Sequence, residues 1–429
     1  MRFASTRGTA PTGTLSEAIR NGAAPDGGLY LPERVPQVAG LDANPSLPAF
    51  AAAMLRPFFE ADALESELDA ICAEAFDFPL PIVQPDPERS GLRVLELFHG
   101  PTGAFKDFGA RFLMACFDRI GDRREPLTVL AATSGDTGGA VGCAAEGRAA
   151  VRAFILYPKG RVSPFQELQL TCWGEPVLAL EVDGDFDDCQ RLVKAAFADA
   201  ALSEEHRLTS ANSINIGRLL PQMAYAGWAA ARLFAETGRK PGFIVPTGNL
   251  GHGFATLYAR AMGLPIGPVR LATNANRTLS DWHASGRYEP RPSLATIANA
   301  MDVGTPSNFE RLIALSPELR RADVELVDDD AILARIRAEY EATGYVWCPH
   351  SATAAEAYTR LPEAHRVERP WIAAATAHPF KFAEGIEPLI GARIQPPRAL
   401  AAIIGREARK IRIAPELPAL VQALELGTA

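Results

Sequence analysis

The sequence has 429 residues, of which 48% are hydrophobic and 22% are charged, and its formal net charge is -8. This length predicts two or three domains, and the composition is ordinary for a soluble globular protein. The net negative charge disfavours general attraction to nucleic acid or to an anionic membrane, so an anionic ligand must be met by a local basic pocket. We therefore expect neither a nucleic-acid partner nor a membrane partner.

The cysteines and the N-terminal residues indicate the compartment. The six cysteines are far apart, without a CxxC pair or a His/Cys cluster at zinc spacing, which predicts unpaired thiols, a reducing compartment and no metal. Residues 1–8 lack the apolar region of a signal peptide, and eighteen apolar residues nowhere run together. These features predict a cytoplasmic protein.

The first 90 residues have the pattern of a separate N-terminal unit. Residues 25–32 combine a turn sequence with a short strand, and residues 48–78 have helical periodicity. Prolines then interrupt the chain and mark a boundary; they are Pro79, Pro81, Pro85 and Pro87.

After this boundary, short apolar segments alternate with helical patterns. This alternation predicts an α/β fold with largely parallel sheets, with ligands at the carboxyl ends of the strands. Helical character is predicted again for residues 312–345. The predicted strands are 93–98, 127–132, 151–157, 177–182, 243–245, 269–272 and 372–375.

Residues 99–112 contain one lysine between aromatic residues. Phe105, Phe108 and Phe112 recur at helical spacing, which puts Lys106 in the first turn of a helix. Partial burial would lower the pKa of Lys106 and prepare its amine to form an imine with a carbonyl. The alternative is a lysine that pairs with a carboxylate and covers the start of the helix.

Two loops between a predicted strand and a helix carry glycines. Residues 133–139 follow one strand, and their hydroxyl groups and glycines suit an anion at a helix N-terminus, although a simple capping turn is the alternative. Residues 247–253 predict a phosphate cradle. Their glycine spacing matches neither a Walker loop nor a dinucleotide fingerprint, so ATP and NAD are poor candidates.

Two further segments carry candidate polar groups. Asn212, Ser213 and Arg218 suit a second anion, but Asn and Ser also suit capping of a helix that begins near Ile216, and both interpretations stay open. After the last predicted strand, Thr376 offers a hydroxyl group for a ring nitrogen, and Lys381 an ammonium group for an anion. A lysine, a phosphate loop and separate anion donors together indicate an aldehyde cofactor that carries its own phosphate.

The ordered set of these segments resembles the threonine synthase family, pyridoxal-phosphate enzymes whose fold is shared with the tryptophan synthase β subunit. The resemblance covers nearly the whole chain. It is carried by residues 5–8, 26–30, 99–112, 132–138, 183–187, 248–251, 299–303 and 376–379.

The resemblance implies fold type II, with two α/β domains, the cofactor between them and an N-terminal unit. The implied division is an N-terminal unit at 1–90, a larger cofactor-binding domain at 91–125 and 211–429, and a smaller domain at 126–210 that carries the substrate loop. In this arrangement Lys106 would hold pyridoxal 5'-phosphate and act as the catalytic acid and base, and Thr376 would meet the ring nitrogen.

The resemblance also implies the remaining site residues and the substrate. Gly248, Asn249, Leu250 and Gly251 would bind the cofactor phosphate. The substrate O-phospho-L-homoserine would place its carboxylate against Thr133, Ser134, Asp136 and Thr137, and its phosphate against Asn212, Ser213 and Arg218.

The implied reaction converts this substrate and water to L-threonine and phosphate, the last step of threonine biosynthesis, in a monomer or homodimer. Two alternatives share these sites. One is a related phospho-lyase that gives a 2-oxo acid, and the other is a non-catalytic protein that binds pyridoxal phosphate.

Overall fold

The computed structural model describes residues 1–38, 40–42, 44–88, 91–133 and 135–426. The strands are β1 (Phe3–Ser5), β2 (Tyr30–Pro32), β3 (Ile82–Val83), β4 (Leu92–Glu96), β5 (Leu127–Ala132), β6 (Val151–Pro158), β7 (Val177–Val182), β8 (Leu208–Ser210), β9 (Gly242–Pro246), β10 (Val269–Thr273), β11 (Asp323–Leu326), β12 (Trp371–Ala375) and β13 (Lys410–Ile413).

The α-helices are α1 (Leu15–Asn21), α2 (Leu47–Phe59), α3 (Leu68–Ala75), α4 (Lys106–Ile120), α5 (Asp136–Ala145), α6 (Pro164–Thr171), α7 (Phe186–Ala198), α8 (Ala200–Glu205), α9 (Ile216–Thr237), α10 (Gly251–Ala261), α11 (Thr278–Ser285), α12 (Phe309–Ala314), α13 (Asp329–Thr343), α14 (Pro349–Thr359), α15 (Glu363–Glu368), α16 (Ala383–Ile390), α17 (Arg398–Ala401) and α18 (Leu417–Leu426). Short 3₁₀ helices span Glu65–Glu67, Asn299–Met301 and Pro379–Phe382.

Two sheets organise the fold, and both are largely parallel. The six-stranded sheet has the order β11-β10-β9-β12-β4-β3, with only the β3–β4 pair antiparallel. The five-stranded sheet has the order β13-β7-β6-β5-β8, with all pairs parallel. Strands β5, β9 and β12 are buried along their whole length, as expected for parallel strands covered on both faces. The α/β prediction is confirmed.

The N-terminal residues pack against the lysine helix α4. Strands β1 and β2 form an antiparallel pair, while α2 and α3 contact α9 and α4. Phe59 and Phe76 lie with ring centroids 6.2 Å and 6.1 Å from that of Phe112 on α4. The predicted helical stretch 48–78 is interrupted after α2, where Ala61 has a φ of 58°, a conformation that does not continue a helix.

Five strands lie where the sequence pattern did not predict them, namely β1, β3, β8, β11 and β13. Strand β11 interrupts the predicted helical stretch 312–345, because Pro317 follows the end of α12. Strand β13 pairs with β7 in the five-stranded sheet, although the division implied by the resemblance places residues 211–429 in the larger domain. Charged and apolar residues alternate over this short edge strand, and only Ile413 is buried, so it lacks the apolar run of a central strand.

Within the described ranges, no helix combines the length and the apolar character needed to cross a membrane.

Candidate active site

Lys106 is the first residue of α4, as the helical spacing predicted. Its Nζ atom lies 4.5 Å from the centroid of the Phe105 ring. The Phe105 ring also stacks on the ring of His252, with 5.0 Å between their centroids. Burial lowers the pKa of Lys106 to about 8, the charge of Arg218 acts in the same direction, and Asp136 opposes them. At neutral pH roughly a tenth of the amine is therefore unprotonated and available as a nucleophile.

Residues 99–112, the lysine segment, are fixed to the end of β12. The backbone amide of Phe105 donates to the carbonyl oxygen of Thr376 across 2.8 Å, and the amide of Thr376 donates to Oγ of Ser351 across 2.8 Å. Oγ of Ser351 also lies 3.4 Å from Oγ1 of Thr376. Ser351 therefore orients the hydroxyl group that the sequence analysis selected, and no motif singled out Ser351 itself.

The predicted phosphate loop connects β9 to α10. Leu250, which precedes the helix, has a left-handed φ of 63°, and a Cβ atom at Gly248 would lie only 2.9 Å from the Cα of Met301. The first amides of α10 lack acceptors within their own helix. A tight turn before such a helix end presents amides to an anion.

Asn308 and Arg311 hold this loop against the segment that contains Ser213. Nδ2 of Asn308 donates to the carbonyl oxygens of Asn249 and Ser213, across 3.1 Å and 3.2 Å. The guanidinium of Arg311 donates to Oδ1 of Asn308 across 2.6 Å and to the carbonyl oxygens of Ser213, Ile214 and Tyr30. Neither side chain belongs to a motif that the sequence reveals, since their role depends on contacts between distant segments.

Arg218 and Asn212 have buried polar atoms without a protein partner. Nε of Arg218 and Oδ1 of Asn212 make no hydrogen bond within the described part of the chain. Arg218 still donates to the carbonyl oxygen of Ala211, and burial lowers its pKa to about 10, so it is charged at neutral pH. Buried polar atoms are rarely left unpaired, which makes these atoms candidates for binding a ligand.

Helix capping does not occupy Asn212 or Ser213. The residue that caps α9 is Asn215, whose Oδ1 accepts from the amide of Gly217 across 2.9 Å. Nδ2 of Asn212 donates to the carbonyl oxygen of Ala132 across 3.3 Å. The segment of Asn212 is thereby connected to the end of β5.

The loop after β5 has a local structural role for one of its hydroxyl groups. Oγ1 of Thr133 accepts from the amides of Gly135 and Gly138, each across 3.0 Å, so it supports the turn into α5. Asp136 forms a buried ion pair with Lys381, with 2.8 Å between Oδ1 and Nζ. Thr137 is partly buried, and Ser134 lies outside the described residues.

These groups fit pyridoxal phosphate. The amine of lowered pKa matches its aldehyde, the helix end with a glycine turn matches its phosphate, and the hydroxyl group at a strand end matches its ring nitrogen. The unpaired Nε–H of Arg218 is a donor for a second anion. Among the described residues, no group of three or more His, Cys, Asp or Glu side chains could hold a metal ion.

Comparisons with known proteins agree with this chemistry. The family model "Pyridoxal-phosphate dependent enzyme" matches residues 86–374. The models "Threonine synthase N terminus" and "Threonine synthase, C-terminal" match residues 2–76 and 351–424.

Full-length relatives and solved structures give the same family. Threonine synthase of Haemophilus influenzae is 38% identical over 396 residues, covering 90% of this chain and 91% of the relative. A crystal structure of PLP-bound threonine synthase from Brucella melitensis superposes with a TM-score of 0.91 at 35% identity, covering 100% of this chain and 99% of that chain. The Escherichia coli threonine synthase structure gives 0.90 at 34% identity, covering 99% and 100%.

The fold is that of the fold type II enzymes, and the chain belongs to the threonine synthase family of pyridoxal-phosphate-dependent enzymes.

Proposed function

We propose that this protein converts O-phospho-L-homoserine and water to L-threonine and phosphate, using pyridoxal 5'-phosphate. The observation that carries the proposal is the amine of lowered pKa at Lys106, fixed through Phe105 to the strand end at Thr376. The buried Nε–H of Arg218, which has no hydrogen-bond partner within the described residues, supports a second anion site in the same molecule.

The roles of the individual side chains follow from their chemistry. Lys106 holds the cofactor, the amides of Gly248, Asn249, Leu250 and Gly251 receive its phosphate, and the Thr376 hydroxyl meets its ring nitrogen. Residues 133–137 bind the substrate carboxylate. Thr133, Ser134 and Thr137 contribute to this site, and Asp136, the first residue of α5, contributes its backbone amide and not its side chain. Because the hydroxyl of Thr133 already supports the turn, Thr133 acts mainly through the shape of this loop. Asn212, Ser213 and Arg218 bind the substrate phosphate.

The chain's own groups must move protons during the reaction. When bound, the cofactor supplies a conjugated ring that withdraws electron density from the substrate carbon atoms. Nζ of Lys106, once free of the cofactor, accepts protons from the substrate and returns one to Cγ. Overall, the bond between Cγ and the phosphate oxygen and one bond between Cβ and hydrogen break, while a bond between Cγ and hydrogen and a bond between Cβ and the oxygen of water form. The proton removed from Cα is returned, and the remaining proton of water goes to the phosphate. Arg218 stabilises the departing phosphate by its positive charge.

We further propose that the protein works in the cytoplasm as a monomer or homodimer, without a nucleic-acid partner. The N-terminal unit at 1–90, the larger domain at 91–125 and 211–429 and the smaller domain at 126–210 remain our proposed division, except that β13 belongs to the smaller sheet.

Product analysis tests the proposed reaction. Purified protein with pyridoxal phosphate is incubated with O-phospho-L-homoserine, and the products are separated by chromatography. We expect threonine and phosphate in equal amounts, and neither from the Lys106→Ala variant. 2-Oxobutanoate without threonine would identify the alternative phospho-lyase, and absence of any turnover would favour a non-catalytic binding protein.

A further inference from the structure

The buried ion pair between Lys381 and Asp136 connects the two sheets beside Lys106. Asp136 is the first residue of α5, directly after β5 in the five-stranded sheet. Lys381 lies in the 3₁₀ helix that follows β12 in the six-stranded sheet. Nζ and Oδ1 are 2.8 Å apart, and the two side chains are 0% and 5% exposed.

Lys381 is also held in this position by the segment that contains Lys106. Its Nζ atom also donates to the carbonyl oxygen of Thr102 across 2.9 Å. Thr102 is fixed in turn, since its hydroxyl donates to Oδ1 of Asp107 across 2.6 Å and its amide donates to Oδ2 across 2.9 Å. The ammonium is therefore fixed to the lysine segment before any ligand binds.

The position of Asp136 raises an electrostatic conflict. Under the proposed function, this loop binds the carboxylate of a substrate that also carries a phosphate. An ionised Asp136 would repel that carboxylate at close range, and the repulsion is strong where water is largely excluded. Burial by itself would raise the pKa of Asp136, yet the ammonium of Lys381, 2.8 Å away, keeps it below the ordinary value, so the group is ionised.

Stability alone does not account for this ion pair. Removing two charges from water is costly, and a buried pair is often no more stabilising than apolar side chains of similar volume. Asp136 lies in the loop proposed to bind the substrate, and its ion pair with Lys381 connects the two sheets. A role in accepting an anionic substrate accounts for both its chemistry and its location.

We propose that Lys381 is a positioning and specificity residue that neutralises Asp136 and so allows the loop after β5 to accept an amino-acid carboxylate. This proposal rests on the proposed function only for the identity of the substrate. It predicts that the two members of the pair have opposite effects on carboxylate binding, although they contact each other.

Binding measurements on holoenzyme variants test this proposal without turnover. The variants are Lys381→Met, Asp136→Asn and the double variant, and the exposed Lys240→Met is the control. L-Threonine probes the carboxylate subsite, and inorganic phosphate probes the phosphate subsite, each titrated against the cofactor absorption. Values of KM and kcat for O-phospho-L-homoserine are measured in parallel.

The two single variants are expected to differ in the direction of their effect on L-threonine binding. Lys381→Met weakens L-threonine binding and raises KM by roughly 10- to 100-fold, because Asp136 is left charged and unpaired. Asp136→Asn binds L-threonine at least as tightly as the unmodified protein, and the double variant recovers to within about threefold of it. Inorganic phosphate binding and Lys240→Met stay within about threefold throughout.

Three results would overturn the proposal. If the double variant binds L-threonine as weakly as Lys381→Met, Lys381 contacts the ligand itself. An equal loss of inorganic phosphate binding would assign Lys381 to the phosphate subsite. If Asp136→Asn weakens both probes as Lys381→Met does, the pair is merely structural.

Two design features keep the result interpretable. If Lys381→Met fails to fold, Asp136→Asn can still be compared with the double variant, which buries no unpaired charge. This comparison shows whether L-threonine binding still needs Lys381 once residue 136 is neutral. A failure of the unmodified protein to make threonine would refute the proposed function separately, because L-threonine binding is measured without turnover.

Discussion

The amide of Phe105 donates to the carbonyl oxygen of Thr376 across 2.8 Å, so the residue before the lysine proposed to hold the cofactor is hydrogen-bonded to the residue proposed to meet the cofactor ring. Neither position can shift without the other. This one bond connects the end of β4, through the loop that follows it, to the end of β12, and it sets the spacing between the amine and the ring partner.

The first prediction concerns the hydroxyl group of Thr376. Thr376→Val keeps the side-chain shape but removes the hydroxyl, and Thr376→Ser keeps the hydroxyl. We expect Thr376→Val to weaken pyridoxal phosphate binding by about tenfold, since one hydrogen bond contributes about 1 kcal/mol or somewhat more. Thr376→Ser should stay within about threefold. Equilibrium titration of the cofactor-free protein measures both, and equal binding by all three proteins would exclude the ring contact.

The second prediction concerns the pH dependence of Lys106 reactivity in the cofactor-free protein. The folded state lowers the pKa of this amine from 10.5 to about 8. An acylating reagent should therefore modify Lys106 at a rate that rises with pH and reaches half its maximum near pH 8. Peptide mass spectrometry measures the rate, with the exposed Lys240 as the internal reference for reagent decay.

The lowered pKa of Lys106 also makes the stability of the cofactor-free protein depend on pH. Between about pH 8 and pH 10.5 the unfolded chain binds more protons at Lys106 than the folded chain does, so this group makes the cofactor-free protein more stable as the pH rises through that window. A rate of modification that keeps rising up to about pH 10 without levelling off would contradict the lowered pKa.

The third prediction concerns Arg218 in the proposed substrate-phosphate site. Arg218→Ala should raise KM for O-phospho-L-homoserine by about a hundredfold, because a buried guanidinium contact to phosphate is lost. The cofactor absorption band should be retained. Arg232→Ala is the matched control, an exposed arginine on the same helix that stacks on Trp228. Unchanged KM in Arg218→Ala would exclude the phosphate assignment.

The fourth prediction concerns Arg311, which is fully buried and donates to four oxygen atoms on three segments. Arg311→Lys retains a cation but cannot reach four acceptors at once. We expect a loss of about 3 kcal/mol in the free energy of unfolding, measured by denaturant titration, and weaker cofactor binding because Asn308 loses its partner. The exposed Arg321→Lys is the control, and a change below about 0.5 kcal/mol in Arg311→Lys would contradict this account.

The sequence alone predicted most of the central strands of the two sheets. Strands β5 and β7 have the predicted bounds, and β9 and β12 differ from them by one or two residues, because each is a short apolar run between turn residues. Lys106 at the start of α4 followed from helical spacing. Strands β11 and β13 did not follow, since they are short and partly exposed, and their pairing depends on distant segments.

The residues of the candidate site also divide into those that a local motif reveals and those that depend on distant contacts. Local motifs selected Lys106, the phosphate loop and Thr376, because strand ends and glycine turns are visible in a single stretch of sequence. Ser351, Asn308 and Arg311 act through bonds to distant segments, which a single sequence cannot reveal. The sequence offered Lys381 for an anion, but only the fold shows that its partner is Asp136.

The most direct test of the central claim follows the oxygen atom of water. The reaction with O-phospho-L-homoserine is run in water enriched in oxygen-18, and threonine and phosphate are analysed by mass spectrometry. Addition of water at Cβ predicts one labelled oxygen in the hydroxyl group of threonine and none in the released phosphate. Labelled phosphate with homoserine as the other product would mean simple phosphate-ester hydrolysis and would contradict the account.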